Sequence, residues 1–269
     1  MNSESVAQLT LIAYATIAIG IVIWRAMRSE EGLMVWFLFL VEHIFFQSLF
    51  QHRSNRHAPY PDGPALLLAN HRSPADPVCL WMNIHNGDFC SRARTISFLM
   101  AREYYEVKGI RWVCEAMKSI PAARDGRDMG PAREALRLLQ KGRLVGIFPE
   151  GRLNRGPGLL PGDTGVAWLA LRAQVPVYPV YILGAPAEGT MVTPFISPAK
   201  VRVVYGDEID LSPYRGQRKT QALLREVTNL MMCRLAELGG HEYEHAEEEQ
   251  AATNGNGKPQ LEVTEAASA

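Results

Sequence analysis

Ala65-Leu66-Leu67-Leu68-Ala69-Asn70-His71-Arg72-Ser73-Pro74-Ala75-Asp76-Pro77 is the stretch on which the fold turns. Five apolar residues read as a buried strand running straight into a polar bend. The bend holds a histidine and an aspartate five positions apart. In one continuous helix, five residues turn through about 500° and leave the two side chains about 140° apart. The prolines argue against that helix. Pro74 pushes Ser73 out of the α region, and Pro77 does the same to Asp76. Asp76 then reads as a helix N-cap, with Pro77 at the first helical position. His71 sits on the incoming loop, free to fold back toward the carboxylate. Such a pair can take a proton from an alcohol near neutral pH. The same residues also fit a capping aspartate beside a surface histidine, so their surroundings have to decide.

Strands and helices alternate beyond this bend. A helix starts at residues 77–84, and Ile96–Ala101 is a second strand. Residues 131–140 place Ala132, Ala135, Leu136 and Leu139 at helical spacing and stop at Lys141-Gly142. Residues 144–148 and Val177–Leu183 read as strands, with a helix over Gly165–Ala173 between them. Residues 201–205 read as a further strand at the sheet edge, and 220–238 as a long amphipathic closing helix. Motifs at strand ends followed by helices describe an α/β domain whose site lies along one rim of the sheet.

Composition places this domain beside a membrane. Residues 6–24 carry no charge, just enough to span a bilayer. Arg25 and Arg28 follow this run, and Glu4 is the one charged side chain before it, the reverse of a signal peptide. Residues 32–50 are a second apolar, aromatic-rich stretch interrupted by Glu42 and His43, with arginines at 25, 28, 53 and 56 flanking it. Positive flanks on both sides suit a segment lying in the interface. The expectation is one anchor helix and one interfacial helix over 1–50, and a domain over 51–240 facing the cytoplasm. The alternative makes both helices part of a soluble core. Residues 241–269 read as a disordered acidic tail with seven Glu and one Lys; 27 Lys and Arg against 21 Asp and Glu precede it. A basic body suits anionic lipid, or is simply a solvated surface. The four cysteines form no Cys-x-x-Cys pair and read as reduced thiols.

Four blocks follow one another along the chain. Asn70-His71-x4-Asp76 comes first. Residues 98–105, with Arg102, lead to Ser119-Ile120-Pro121-Ala122-Ala123-Arg124. Phe148-Pro149-Glu150-Gly151-Arg152-Leu153-Asn154-Arg155 is third, and Val175-Pro176-Val177-Tyr178-Pro179-Val180 is last. This order resembles the glycerolipid acyltransferase superfamily, specifically the bacterial lysophosphatidate (1-acyl-sn-glycerol-3-phosphate) acyltransferases, across roughly residues 60–240. There are departures. Many members place Thr-Arg or Ser-Arg after Phe-Pro-Glu-Gly, whereas here Arg152 follows Gly151 directly and Arg155 comes three later. Many have Lys where this chain has Arg102. Positive charge is kept, and which arginine meets a phosphate stays open.

The resemblance implies one acyltransferase domain, a mixed sheet flanked by helices, preceded by membrane-anchoring helices. It implies transfer of a fatty acyl group from acyl-CoA or acyl carrier protein to the free sn-2 hydroxyl of lysophosphatidic acid, giving phosphatidic acid. His71 is then the base and Asp76 its partner. Arg102, Arg124, Arg152 and Arg155 are candidate phosphate ligands, with Arg124 and Arg152 favoured by the resemblance. Glu150 is assigned to acceptor binding, and Gly151 permits close backbone approach. Ser73 and Cys79 are near enough to be considered as nucleophiles, though Ser73 suits the turn and Cys79 the helix packing. No metal or resident cofactor is expected beyond the thioester co-substrate, and no nucleic acid. The partners are the phospholipid membrane, a lysophospholipid acceptor and the acyl donor. Glycerol 3-phosphate, another lysophospholipid or a lyso-aminolipid remain alternative acceptors. Two other classes compete: a metal hydrolase using His71, Asp76 and Glu150, which lacks a His-x-x-x-His or carboxylate cluster, and a non-catalytic lipid-binding relative, in which the blocks would be broken.

Overall fold

Ala65–Ala69 forms the strand that its apolar run predicts, with all five residues buried. The computed structural model describes residues 3–27, 31–55, 63–85, 94–107, 109–123, 128–190 and 192–245. In chain order the elements are α1 (Ser3–Met27), α2 (Leu33–Phe50), β1 (Arg53–Ser54), β2 (Ala65–Ala69), α3 (Asp76–His85), β3 (Ile96–Ala101), α4 (Arg102–Tyr105), α5 (Arg111–Ala116) and β4 (Ile120–Ala122). Then come α6 (Gly130–Gln140), β5 (Leu144–Ile147), α7 (Gly165–Ala173), β6 (Val177–Leu183), α8 (Thr193–Ile196), β7 (Arg202–Tyr205), a 3-10 turn (Ser212–Tyr214) and α9 (Gln221–Gly239).

Among the described residues the strands form one mixed sheet in the order β1-β7-β6-β2-β5-β3-β4. Neighbours are parallel except for the antiparallel β6–β7 pair. The steps β2 to β3 and β3 to β4 run one way across the sheet and carry α3 and α5 over one face. The steps β4 to β5 and β5 to β6 run back and carry α6 and α7 over the other. Connections running opposite ways take opposite faces, as right-handed crossovers require. Both faces of the central strands are therefore covered, which is why β2 reads as a continuous apolar run. Leu66 and Leu68 point toward α6, α7 and α9, while Ala65, Leu67 and Ala69 point toward α2 and α3.

The strand expected at 201–205 is β7, but it is not the edge; β1 pairs outside it. At two and three residues, β1 and β4 are too short to leave a periodic signal. The ordered chain also runs past residue 240. His241 Nε2 meets the Tyr181 hydroxyl at 2.9 Å, and the Tyr243 hydroxyl accepts from Gly162 N–H at 3.0 Å. Of the tail expected from 241, residues 246–269 lie outside the described residues, as do Arg28, Arg56 and Cys90.

The two N-terminal helices differ. Both are long and apolar enough to cross a membrane. No part of the apolar window of α1 is buried, which sets aside the alternative of a core helix for it. The second helix buries Val35, Phe39, Glu42 and Phe50. It is held at both ends. At its start, Glu31 accepts hydrogen bonds from Arg143 (2.6 and 2.5 Å) and Lys118 (2.7 Å), residues that stand just before β5 and β4. At its end, Leu49 and Phe50 carbonyls accept from Ala199 N (3.1 Å) and Val201 N (2.9 Å), beside the start of β7. It thus lies along the sheet face from one edge to the other.

Two predictions concern this frame. Gly146 faces Phe98 across the β5–β3 register, and a Cβ there would lie 2.1 Å from the Phe98 ring. Gly146→Ala is expected to destabilise the domain by about 1–3 kcal/mol through overpacking, read as a lower denaturant midpoint. Burial alone would raise the Glu31 carboxyl, but hydrogen bonds and charge from Arg143 and Lys118 outweigh it and hold the group below its ordinary value. Its stabilisation is therefore present above the ordinary carboxylate range and fades as pH falls through the lowered value. Glu31→Gln should cost about 1–3 kcal/mol at pH 7. The Tm gap to wild type should narrow in acid below about pH 4.

Candidate functional site

The site grows from the register of two strands. In the parallel β2–β5 pair, Leu68 lies opposite Ile147. Three residues beyond each come His71 and Glu150, leaving the same rim of the sheet side by side. His71 N–H donates to Glu150 Oε1 at 2.9 Å. On the other flank of β2, Asn70 forms a fork with Ile182 of β6: its amide donates to the Ile182 carbonyl at 3.0 Å, and its Oδ1 accepts Ile182 N–H at 2.7 Å. The loop carrying the histidine is thus pinned to both neighbouring strands.

His71 does fold back on Asp76. Nδ1 and Asp76 Oδ2 are 3.1 Å apart, with the imidazole one-fifth exposed and the aspartate fully buried. The same Oδ2 accepts the backbone N–H groups of Arg72 and Ser73, both at 2.8 Å. This corrects the capping role expected for Asp76. Its carboxylate points back into the loop and not forward to its own helix. Ser73 closes the helix start instead: its hydroxyl accepts Ala75 N–H at 3.1 Å, its carbonyl accepts Asp76 N–H at 3.1 Å, and the hydroxyl itself donates to the Pro186 carbonyl. Burial raises the Asp76 carboxyl above its ordinary value, opposed by the hydrogen bond and charge of His71 and by the N–H groups of Ser73 and Arg72. Asp76 Oδ1 is buried with no partner among the described residues. With Nδ1 facing the carboxylate as the protonated nitrogen, Nε2 carries the free lone pair.

An aromatic stack fixes the ring from the side. His71 lies on Phe148 with centroids 4.1 Å apart and planes 14° apart, and Phe148 lies on Phe98 at 5.2 Å and 13°. Trp81 meets Phe98 edge-on. Phe148 has a place in the third block, yet its stacking role carried no signal in the sequence.

Glu150 is 7 % exposed, and its second oxygen accepts Asn154 Nδ2 at 2.8 Å and Leu160 N–H at 2.9 Å. Asn154, 2 % exposed, donates its own N–H to the His71 carbonyl at 2.7 Å. Sequence reasoning gave Asn154 no role. Gly151 turns the chain with φ at +65°, a backbone region that favours glycine.

The arginines divide. Arg102, Arg152 and Arg155 are exposed, at the strand ends that form the rim, and make no ion pair among the described residues. Arg124 lies outside the described residues. Arg72 and Arg225, not singled out before, donate to the carbonyls of Gly156 (2.8 Å) and Gly162 (2.9 Å). Arg152 and Arg225 line one open cleft, floored by Glu150-Gly151 and walled by residues 160–163. The suspected nucleophiles are occupied otherwise. Ser73 is spent on the turn, and burial pushes the Cys79 thiol well up, aided by the charges of Asp76 and Glu42.

Comparison with known proteins bears on the family and the fold. The curated 1-acyl-sn-glycerol-3-phosphate acyltransferase BAT2, chloroplastic, of Brassica napus is 27 % identical over 128 residues, 47 % of this chain. The match spans about a third (35 %) of that relative's length. The crystal structure of the 1-acyl-sn-glycerophosphate (LPA) acyltransferase PlsC from Thermotoga maritima superposes with a TM-score of 0.58 at 21 % identity, covering 83 % of this chain and 88 % of that one, and shares its fold. A sequence model of the Acyltransferase family matches residues 31–183, more than half of the chain, from the turn before α2 to the end of β6. The chain belongs to the Acyltransferase family.

Proposed function

We propose that the protein transfers a fatty acyl group from a thioester, acyl-CoA or acyl carrier protein, to the free sn-2 hydroxyl of lysophosphatidic acid, forming phosphatidic acid. The observation that carries this reading is the His71–Asp76 pair, at 3.1 Å on the strand rim where Arg102, Arg152 and Arg155 stand unpaired among the described residues. The printed names of the relatives favour the same acceptor.

The steps balance through one histidine. Nε2 of His71 takes the hydroxyl proton, and Asp76 stabilises the imidazolium that forms. The acceptor oxygen attacks the thioester carbonyl carbon, the tetrahedral intermediate collapses, and the C–S bond breaks. The imidazolium returns the proton to the departing thiolate. No acyl-enzyme is needed, in keeping with the engagement of Ser73 and the burial of Cys79. The acceptor's phosphate pairs with guanidinium groups on the rim, Arg152 foremost, since Arg presents two parallel donors to an anion. Glycerol 3-phosphate, other lysophospholipids and lyso-aminolipids are the competing acceptors.

The same reading places α1 in the bilayer as an anchor, α2 in the interface with its exposed apolar face in lipid, and the catalytic domain on the cytoplasmic side of the inner membrane. An unburied α1 and an α2 held along the sheet support this arrangement.

Full-length protein in mild detergent, given lysophosphatidic acid and either long-chain donor, is expected to form phosphatidic acid. His71→Ala should lower kcat by about 10²–10⁴-fold. Arg152→Ala should raise the acceptor KM by about 10–100-fold with a smaller change in kcat, the loss of a charge-assisted hydrogen bond. Absence of product with both donors overturns the lysophosphatidate assignment and sends the search to the other acceptors.

A further inference from the structure

The third block does something for His71 that its assigned role does not cover. Both halves of the His71 backbone are held from that block. The N–H goes to Glu150 Oε1 at 2.9 Å, and the carbonyl receives Asn154 N–H at 2.7 Å. The two holders are tied to each other, Asn154 Nδ2 to Glu150 Oε2 at 2.8 Å, and Leu160 N–H loads the same oxygen at 2.9 Å. An ionised carboxylate offers about four acceptor sites. Three N–H donors of the protein take three of them, and the side chain is almost fully buried. Its hydrogen bonds are therefore spent on the loop that carries the histidine and on the block's own turn, although the residue also borders the cleft.

We infer that Glu150 and Asn154 are positioning residues: through the His71 backbone they set where Nε2 points. The inference rests on the proposed role of His71 as base. Polarity makes it testable. All three partners of Glu150 are donors, so Asn154→Asp sets acceptor against acceptor at a 2.8 Å contact. Adding Glu150→Gln to that variant reverses the pair: the new amide donates to the carboxylate introduced at position 154, while the remaining oxygen still accepts from His71. Leu160 N–H is then left over, as is the Gly158 carbonyl, which accepts from Asn154 Nδ2 at 3.0 Å in the native protein.

The experiment compares wild type, Asn154→Asp, Glu150→Gln and the double variant, as full-length protein in detergent. Asn154→Asp is expected to lower kcat by about 100-fold, the scale of a misplaced catalytic group. Its KM for donor and acceptor should stay within about twofold, and the double variant should recover about tenfold of the lost kcat. If Asn154→Asp does not fold, Asn154→Ala keeps the main-chain bond and should show the same split with about a tenfold loss. A double variant no better than Asn154→Asp, or a Glu150→Gln protein whose acceptor KM rises at constant kcat, overturns the inference; the latter returns Glu150 to acceptor binding. A second readout needs no substrate. The downfield proton resonance of His71 Nδ1–H, identified by its loss in His71→Ala, should move in Asn154→Asp and return in the double variant. This separates the inference from the choice of acceptor. An inactive wild type with an intact resonance series overturns the acyl-transfer reading and leaves the clamp standing. An active wild type with an unmoved resonance overturns the clamp.

Discussion

Because β2 and β5 pair in parallel with Leu68 opposite Ile147, two loops 79 residues apart in sequence leave the sheet at one height. The hydrogen bond from His71 N–H to Glu150 joins them there. Other features of the site hang on that junction. Asn154 completes the grip from one side, and the Asn70 fork to Ile182 holds β2 from the other. Asp76 then has a loop of settled shape to gather around a single oxygen. A slip of one residue in this register would turn every side chain of β2 to the opposite face and separate the two blocks.

The imidazole is constrained in two directions by different forces. Along its plane, a carboxylate in a buried setting takes Nδ1 together with two backbone donors. Across its plane, the rings of Phe148 and Phe98 continue the stack into the core. That stack exists because β5 has a glycine opposite Phe98, so ring and backbone lie in contact. Packing in the sheet interior is in this way transmitted to a side chain on the rim.

Charge is sorted between the two ends of the strands. At the N-terminal end, Arg143 and Lys118 share the Glu31 carboxylate in a partly buried cluster and hold the turn that leads into α2. At the C-terminal end, the guanidinium groups of Arg102, Arg152 and Arg155 stand exposed. Paired charges fasten the helix, and the unpaired ones are those that the proposed function gives to recognition.

What was legible in the sequence was local. The all-apolar β2 announced a buried strand, the spacing of Ala135 and Leu139 announced α6, and the amphipathic run over 220–238 announced α9, whose N-cap the structure places at Thr220. That His71 could reach Asp76 was also readable, since Pro74 and Pro77 exclude the helix that would separate them; that it does was settled by the fold. The sequence by itself determined these features because burial period, proline geometry and capping act within a few residues. Tertiary structure alone decided that Asp76 faces backwards, that Asn154 belongs with His71 and that Phe148 lies against the imidazole. Each of these depends on which strands are neighbours and in what register. A hydrogen-bond partner chosen across a sheet leaves no periodicity along the chain.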